Sequence, residues 1–142
     1  MILSIDPGET SGFCILEETK KINYNKKDAK IFKKVGEKNL HFGFDKIIES
    51  GDIHLIVYEE FKLYPWKAKA KSWSTFPTVE VIGILKYLAA QNDIPVIGQG
   101  ADCKQFFDDK KLKWCNMYKS YSPHERDAIR HALYYLDFKE DN

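Results

Sequence analysis

Two apolar runs in this chain each end in a carboxylic acid, and this pairing constrains the fold more than any other feature. Residues 1–5 run into Asp6, where Pro7-Gly8 forces a turn. Residues 53–58 (Ile-His-Leu-Ile-Val-Tyr) run straight into Glu59-Glu60. Short apolar runs bounded by turn residues read as buried strands. In open α/β sheets, ligands gather beyond the carboxyl ends of such strands. Two acids at two strand ends therefore predict a site as well as a sheet.

The rest of the chain supplies the other elements. Residues 12–16 read as the second strand of a hairpin, with a third, weaker strand around 20–24. Residues 37–50 read as a helix closed by Ser50-Gly51. Thr75 and Pro77 open a helix to about Ala90, with Val79, Ile82, Leu85 and Leu88 at helical spacing. A short strand covers 94–97, a helical piece 101–107, and a basic turn 110–119. The clearest element is the last helix, which runs to about Leu136. There Ser122 is an N-cap, Pro123 takes the first helical position and Glu125 completes a capping box. Strands first, then alternating helix and strand, then a closing helix imply one α/β domain over 1–142, a mixed sheet with helices on both faces.

Composition bounds the function class. An apolar fraction of 44% with 9 Phe, 8 Tyr and 3 Trp marks a folded domain. Three well-separated cysteines without a CxxC fit reduced thiols rather than structural zinc. With no basic, cleavable leader pattern and no apolar stretch near the ~20 residues of a membrane span, the expected setting is the cytoplasm, with no membrane partner. Net charge is +1, so any nucleic-acid affinity must come from local patches. Residues 20–38 are lysine-rich, as an ordinary solvated surface often is. Residues 62–71 differ, because Lys62, Lys67, Lys69 and Lys71 interleave with Tyr64 and Trp66 and no acid intervenes. Cations alternating with aromatics suit phosphates and unstacked bases, so these six residues are the expected DNA contacts.

The third acid comes from the last helix. His124, Asp127 and His131 follow i, i+3, i+7 and share one face. Asp127 lies past the first turn, where a favourable charge at the helix N-terminus no longer explains it well. His131 stands one turn beyond, at the limit of reach; its simplest reading is packing. Converging carboxylates repel by several kcal/mol at ~4 Å, and a hard divalent cation offsets that. Oxygen ligands select Mg2+ or Mn2+, and such ions support phosphodiester hydrolysis. Asp6, Glu59, Asp127 and His124 are thus the expected catalytic and metal-binding residues, with Glu60 an alternative to Glu59.

These residues carry a resemblance. Ile2-Leu3-Ser4-Ile5-Asp6-Pro7-Gly8 resembles the opening of RuvC-type Holliday junction resolvases, and Leu55-Ile56-Val57-Tyr58-Glu59 their second acidic strand. His124-Glu125-Arg126-Asp127-Ala128 resembles their last helix. Tyr64-Pro65-Trp66-Lys67-Ala68 and Val81-Ile82-Gly83 are similar to stretches of small phage nucleases in that group. The resemblance implies an RNase H-like fold. It also implies a homodimer that binds four-way DNA junctions and nicks two strands symmetrically with Mg2+. The candidate interface, read from the residues, is helix 75–91, where Val81, Ile84 and Tyr87 widen the apolar face and Gly83 allows close approach. The resemblance makes Glu59, which ends the apolar run directly, the second acid, and leaves Tyr64 and Trp66 as candidates for a junction-wedging aromatic. Three alternatives stand beside this reading. One is a related RNA-processing nuclease and another a junction-binding module without catalysis. The third is a sugar-kinase-like phosphate loop at Asp6-Pro7-Gly8-Glu9-Thr10, which lacks the second glycine-rich loop that fold needs.

Overall fold

In a computed structural model of the chain, the described residues are 1–18, 31–62 and 76–139. The strands are β1 (Ile2–Asp6), β2 (Thr10–Leu16), β3 (Phe32–Asn39), β4 (Leu55–Glu59) and β5 (Val96–Gln99). The helices are α1 (Phe44–Glu49), α2 (Pro77–Gln91), α3 (Asp109–Trp114) and α4 (Pro123–Phe138), with a 3-10 segment at Ala101–Phe107. The sheet order is β3-β2-β1-β4-β5. β1–β2 and β2–β3 pair antiparallel; β1–β4 and β4–β5 pair parallel. The sheet is mixed, as the order of elements implied.

Alternation along the strands feeds two cores. On one face Ile2, Cys14, Leu16 and Val57 meet Ala128, Ile129, Ala132 and Leu133 of α4. On the other, Leu3, Ile5, Phe13 and Ile56 meet α1 through Phe44 and Ile48, and α2 through Val81, Leu85 and Ala89. Helices therefore cover both faces. Two carboxyl strand ends, Asp6 of β1 and Glu59 of β4, lie on neighbouring parallel strands, in register from Ile2↔Leu55 to Ile5↔Tyr58.

Several expected elements change. The helix expected over 37–50 shortens to Phe44–Glu49, because residues 32–39 pair with β2 as a strand. Its lysines are the solvated side of an outer strand, and Leu40 and Gly43 break the chain direction with positive φ. The third strand thus comes from 32–39, while residues 20–24 lie outside the described residues. The strand expected at 94–97 sits two residues later. Part of the basic turn expected at 110–119 is α3, capped by Asp108, whose side chain accepts from the Lys111 amide. The α2 stripe also rotates. Val81, Leu85 and Ala89 (i, i+4, i+8) face the core, while Val79 and Tyr87 are exposed. Of the expected row Val79, Ile82, Leu85 and Leu88, Leu85 is buried and Leu88 packs against the core, but the sheet contact follows the i+4 row through Val81.

Candidate active site

The site forms where α4 crosses the ends of β1 and β4, and a glycine permits that crossing. Gly12 of β2 stands opposite Asp6 in the antiparallel register. A Cβ at Gly12 would lie 2.0 Å from the carbonyl oxygen of His124, so only glycine lets the first turn of α4 come this close. The approach is pinned by buried polar contacts. The Ser4 hydroxyl donates to the Ala128 carbonyl at 2.7 Å, and Arg126 donates to the Tyr121 carbonyl at 3.0 Å. Ser122 and Glu125 complete the capping box in both directions.

Held this way, α4 delivers Asp127 and His124 to the strand-end acids. Side chains of Asp6, Glu59 and Asp127 are 13%, 16% and 26% exposed, so all three are largely shielded from water. His124 is half-exposed, with Nδ1 3.7 Å from Asp6 Oδ2. Glu60 is exposed and lies over Gly98 of β5, so Glu59 is the glutamate of the cluster.

Three basic side chains surround the acids. Lys104, from the 3-10 segment after β5, places Nζ 2.9 Å from Glu59 Oε1 and 3.3 Å from Asp127 Oδ2. Arg130, one turn along α4, donates from Nη1 to Asp127 Oδ1 at 2.7 Å, from Nε to the Phe107 carbonyl at 2.8 Å, and also pairs with Asp109. His131 is wholly buried, with Nε2 3.6 Å from Glu59 Oε1.

The charges do not balance evenly. Burial, then a hydrogen bond and charge repulsion from Glu59 and the charge of Asp127, push Asp6 up to about 8. Burial also acts upward on Glu59, but hydrogen bonds from His131, Lys104 and Asp6 outweigh it and bring that carboxyl down to about 2. Lys104 is held charged, since Glu59 and Asp127 overcome the burial that opposes it. Asp6 therefore holds its proton far more tightly than Glu59, and the basic group nearest to it is His124 rather than Lys104 or Arg130.

Sequence reasoning missed Lys104 and Arg130. Both carried a signal: Lys104 follows the carboxyl end of a third parallel strand, and Arg130 stands at i+3 from Asp127. Reading His131 as remote packing also fails in part, because it is buried directly beneath Glu59. Of the expected DNA contacts, Lys62 borders a cleft with Pro7, Glu59, Phe61, Thr78 and Asp102 beside the acids. Tyr64, Trp66, Lys67, Lys69 and Lys71 lie outside the described residues.

Structural comparison gives the fold a name. The chain is similar to Thermus thermophilus RuvC in complex with Holliday junction substrate, with TM-score 0.66 and 15% identity over 97% of this chain and 95% of that one. It is similar to the Thermus thermophilus RuvC structure, with TM-score 0.63 and 14% identity over 96% and 95%. The fold is that of RuvC, an RNase H-like fold. No protein-family description and no curated protein matches the sequence. Among the described residues, no helix is long and apolar enough to cross a membrane.

Proposed function

We propose that this protein is a divalent-metal-dependent endonuclease that cuts branched DNA, four-way junctions above all. The observation that carries the reading is the convergence of Asp6, Glu59 and Asp127 beyond the carboxyl ends of two parallel strands, on a RuvC-like fold. The donor set fits a hard cation. It is rich in carboxylate oxygen, and repulsion from Glu59 and Asp127 on Asp6 exceeds what Lys104 offsets. Asp6, Glu59 and Asp127, with His124 at the rim, would hold Mg2+ or Mn2+. Bound there, the ion supplies an activated water and charge stabilisation for phosphodiester hydrolysis.

The chain's own residues do the rest. His124, open to solvent beside Asp6, is placed to carry a proton between the site and water. Arg130 fixes the Asp127 carboxylate by its bond to Oδ1. Lys104 bridges Glu59 and Asp127 and would supply positive charge toward a phosphate drawn to the site. Lys62, Lys67, Lys69 and Lys71 bind backbone phosphates, with Tyr64 and Trp66 stacking on bases opened at the branch point.

Symmetrical cutting of a junction needs two such sites, so the proposed working unit is a homodimer. Val81 and Leu85 are in the core, which leaves Val79, Ile84 and Tyr87, around the open backbone at Gly83, as the α2 surface for a second copy. Cleavage of a synthetic four-way junction, a linear duplex and an RNA–DNA hybrid, each with Mg2+ or EDTA, tests the reading. Paired nicks in the junction with Mg2+ support it. Equal cutting in EDTA rejects the metal mechanism, and preference for the hybrid moves the substrate to RNA.

A further inference from the structure

A second polar pair sits under the acids and has no part in the chemistry above. His131 is 0% exposed and Gln99, the last residue of β5, is 7% exposed. Gln99 Oε1 lies 2.9 Å from His131 Nδ1, and His131 Nε2 faces Glu59 Oε1 at 3.6 Å. Glu59 Oε1 has Lys104 Nζ at 2.9 Å, whereas His131 Nε2 is buried with no partner within hydrogen-bond distance among the described residues. Burying an imidazole costs free energy unless its polar atoms are used. Nearby on the same helix, Ala128, Ala132 and Leu136 are all in the apolar core.

We propose that His131, anchored by Gln99, is a positioning residue that fixes the orientation of the Glu59 carboxylate. The inference deepens the metal-nuclease reading and rests on it for its functional consequence. The roles of the two ring nitrogens follow from their partners. A carboxylate only accepts, so Nε2 carries the hydrogen toward Glu59. In a neutral ring Nδ1 then accepts, so the Gln99 amide turns its NH2 toward it; with the Gln99 oxygen facing Nδ1, both ring nitrogens carry a hydrogen. A small rotation of the carboxylate closes the 3.6 Å gap to a hydrogen bond. Glu59 Oε1 is the atom Lys104 also approaches. Were Glu59 to hold a metal, His131 would keep its carboxylate oriented from the buried side, in the manner of outer-shell partners that orient metal ligands.

The test uses the full chain and two readouts. The first needs neither metal nor DNA. In 15N-labelled protein, the side-chain Nε2–H of His131 gives a proton-bearing signal that shifts in Glu59→Gln. A His131 ring with Nε2 unprotonated, or one indifferent to Glu59→Gln, overturns the proposal. The second is Mn2+ affinity by calorimetry. His131→Leu weakens it about tenfold, and His131→Gln, which keeps a donor toward Glu59, recovers most of that loss. Equal weakening in both variants overturns the proposal as well. If His131→Leu does not fold, the wild-type spectrum and His131→Gln still decide. A protein that passes both readouts yet does not cut junctions keeps the His131 inference and loses the nuclease reading. A protein that cuts junctions with an uncoupled His131 does the reverse.

Discussion

The two long helices pack on opposite faces of one sheet, and they are held in different ways. α4 is fixed by polar contacts at defined points: its capping box, the Ser4–Ala128 bond and the approach to Gly12 that no side chain could share. α2 has no side-chain cap and rests on Val81, Leu85 and Ala89, with Val79 and Tyr87 turned to solvent. Apolar burial stabilises a helix without specifying its position closely, whereas directional bonds and close backbone approach set it to fractions of an ångström. The helix that brings an acid to two others is the one held by directional contacts.

The comparison breaks most sharply at the acids. Asp127→Asn or Asp6→Asn should lower Mg2+-dependent junction cleavage by roughly 100-fold or more while junction binding persists. Near wild-type cutting by Asp127→Asn, measured in a single-turnover assay, would remove α4 from the chemistry, and the same result for Asp6→Asn would remove the end of β1. Gly12→Ala should come next. Its methyl group meets the α4 backbone, so thermal unfolding should show a loss of about 1–3 kcal/mol and cleavage should fall with it. An unchanged melting temperature would mean that the α4 seat is softer than its geometry implies.

The third prediction is a pH effect in EDTA. Folded Asp6 titrates at about 8 against 3.8 for the free side chain, so the folded state holds a proton that the unfolded chain has released. Its contribution is therefore complete below pH 4 and lost as pH rises through 8. Melting temperature should fall across that window. Asp6→Asn should flatten the fall and stabilise the metal-free protein by about 1–2 kcal/mol at pH 8, a fraction of the ~1.4 kcal/mol per pKa unit. A pH-independent melting curve for wild type would contradict the uncompensated charge. The smallest effect belongs to α2. Gly83→Ala meets nothing within 4 Å and should add about 0.5–1 kcal/mol through helix propensity. A loss of dimer in the same variant, read by light scattering, would place Gly83 at the interface between copies.

Much of the fold was legible because period and punctuation agree. The runs ending in Asp6 and Glu59 are β1 and β4, and Ser122-Pro123 starts α4 as capping rules require. The failures have a common physical cause. The helix expected over 37–50 took in residues 37–39, which end β3; pairing with β2, not local pattern, makes them strand. The α2 stripe was misassigned because apolar residues occupy nearly all sides of that helix, and only the sheet decides which row is buried. At the site, Asp6, Glu59, His124 and Asp127 could be gathered from strand ends and helix spacing. Lys104, Arg130 and the buried His131–Gln99 pair could not be ranked in advance, because their roles depend on which charges the fold leaves uncompensated.

The central claim is that the three acids form a divalent-metal site, and calorimetric titration of Mn2+ into the DNA-free protein tests it most directly. Performed at pH 7 in buffers of different ionisation enthalpy, the titration should show saturable binding with release of close to one proton, the one held on Asp6. Binding should weaken strongly in both Asp6→Asn and Asp127→Asn. Absence of binding at millimolar Mn2+, or affinity and proton release unchanged in those variants, would contradict the account.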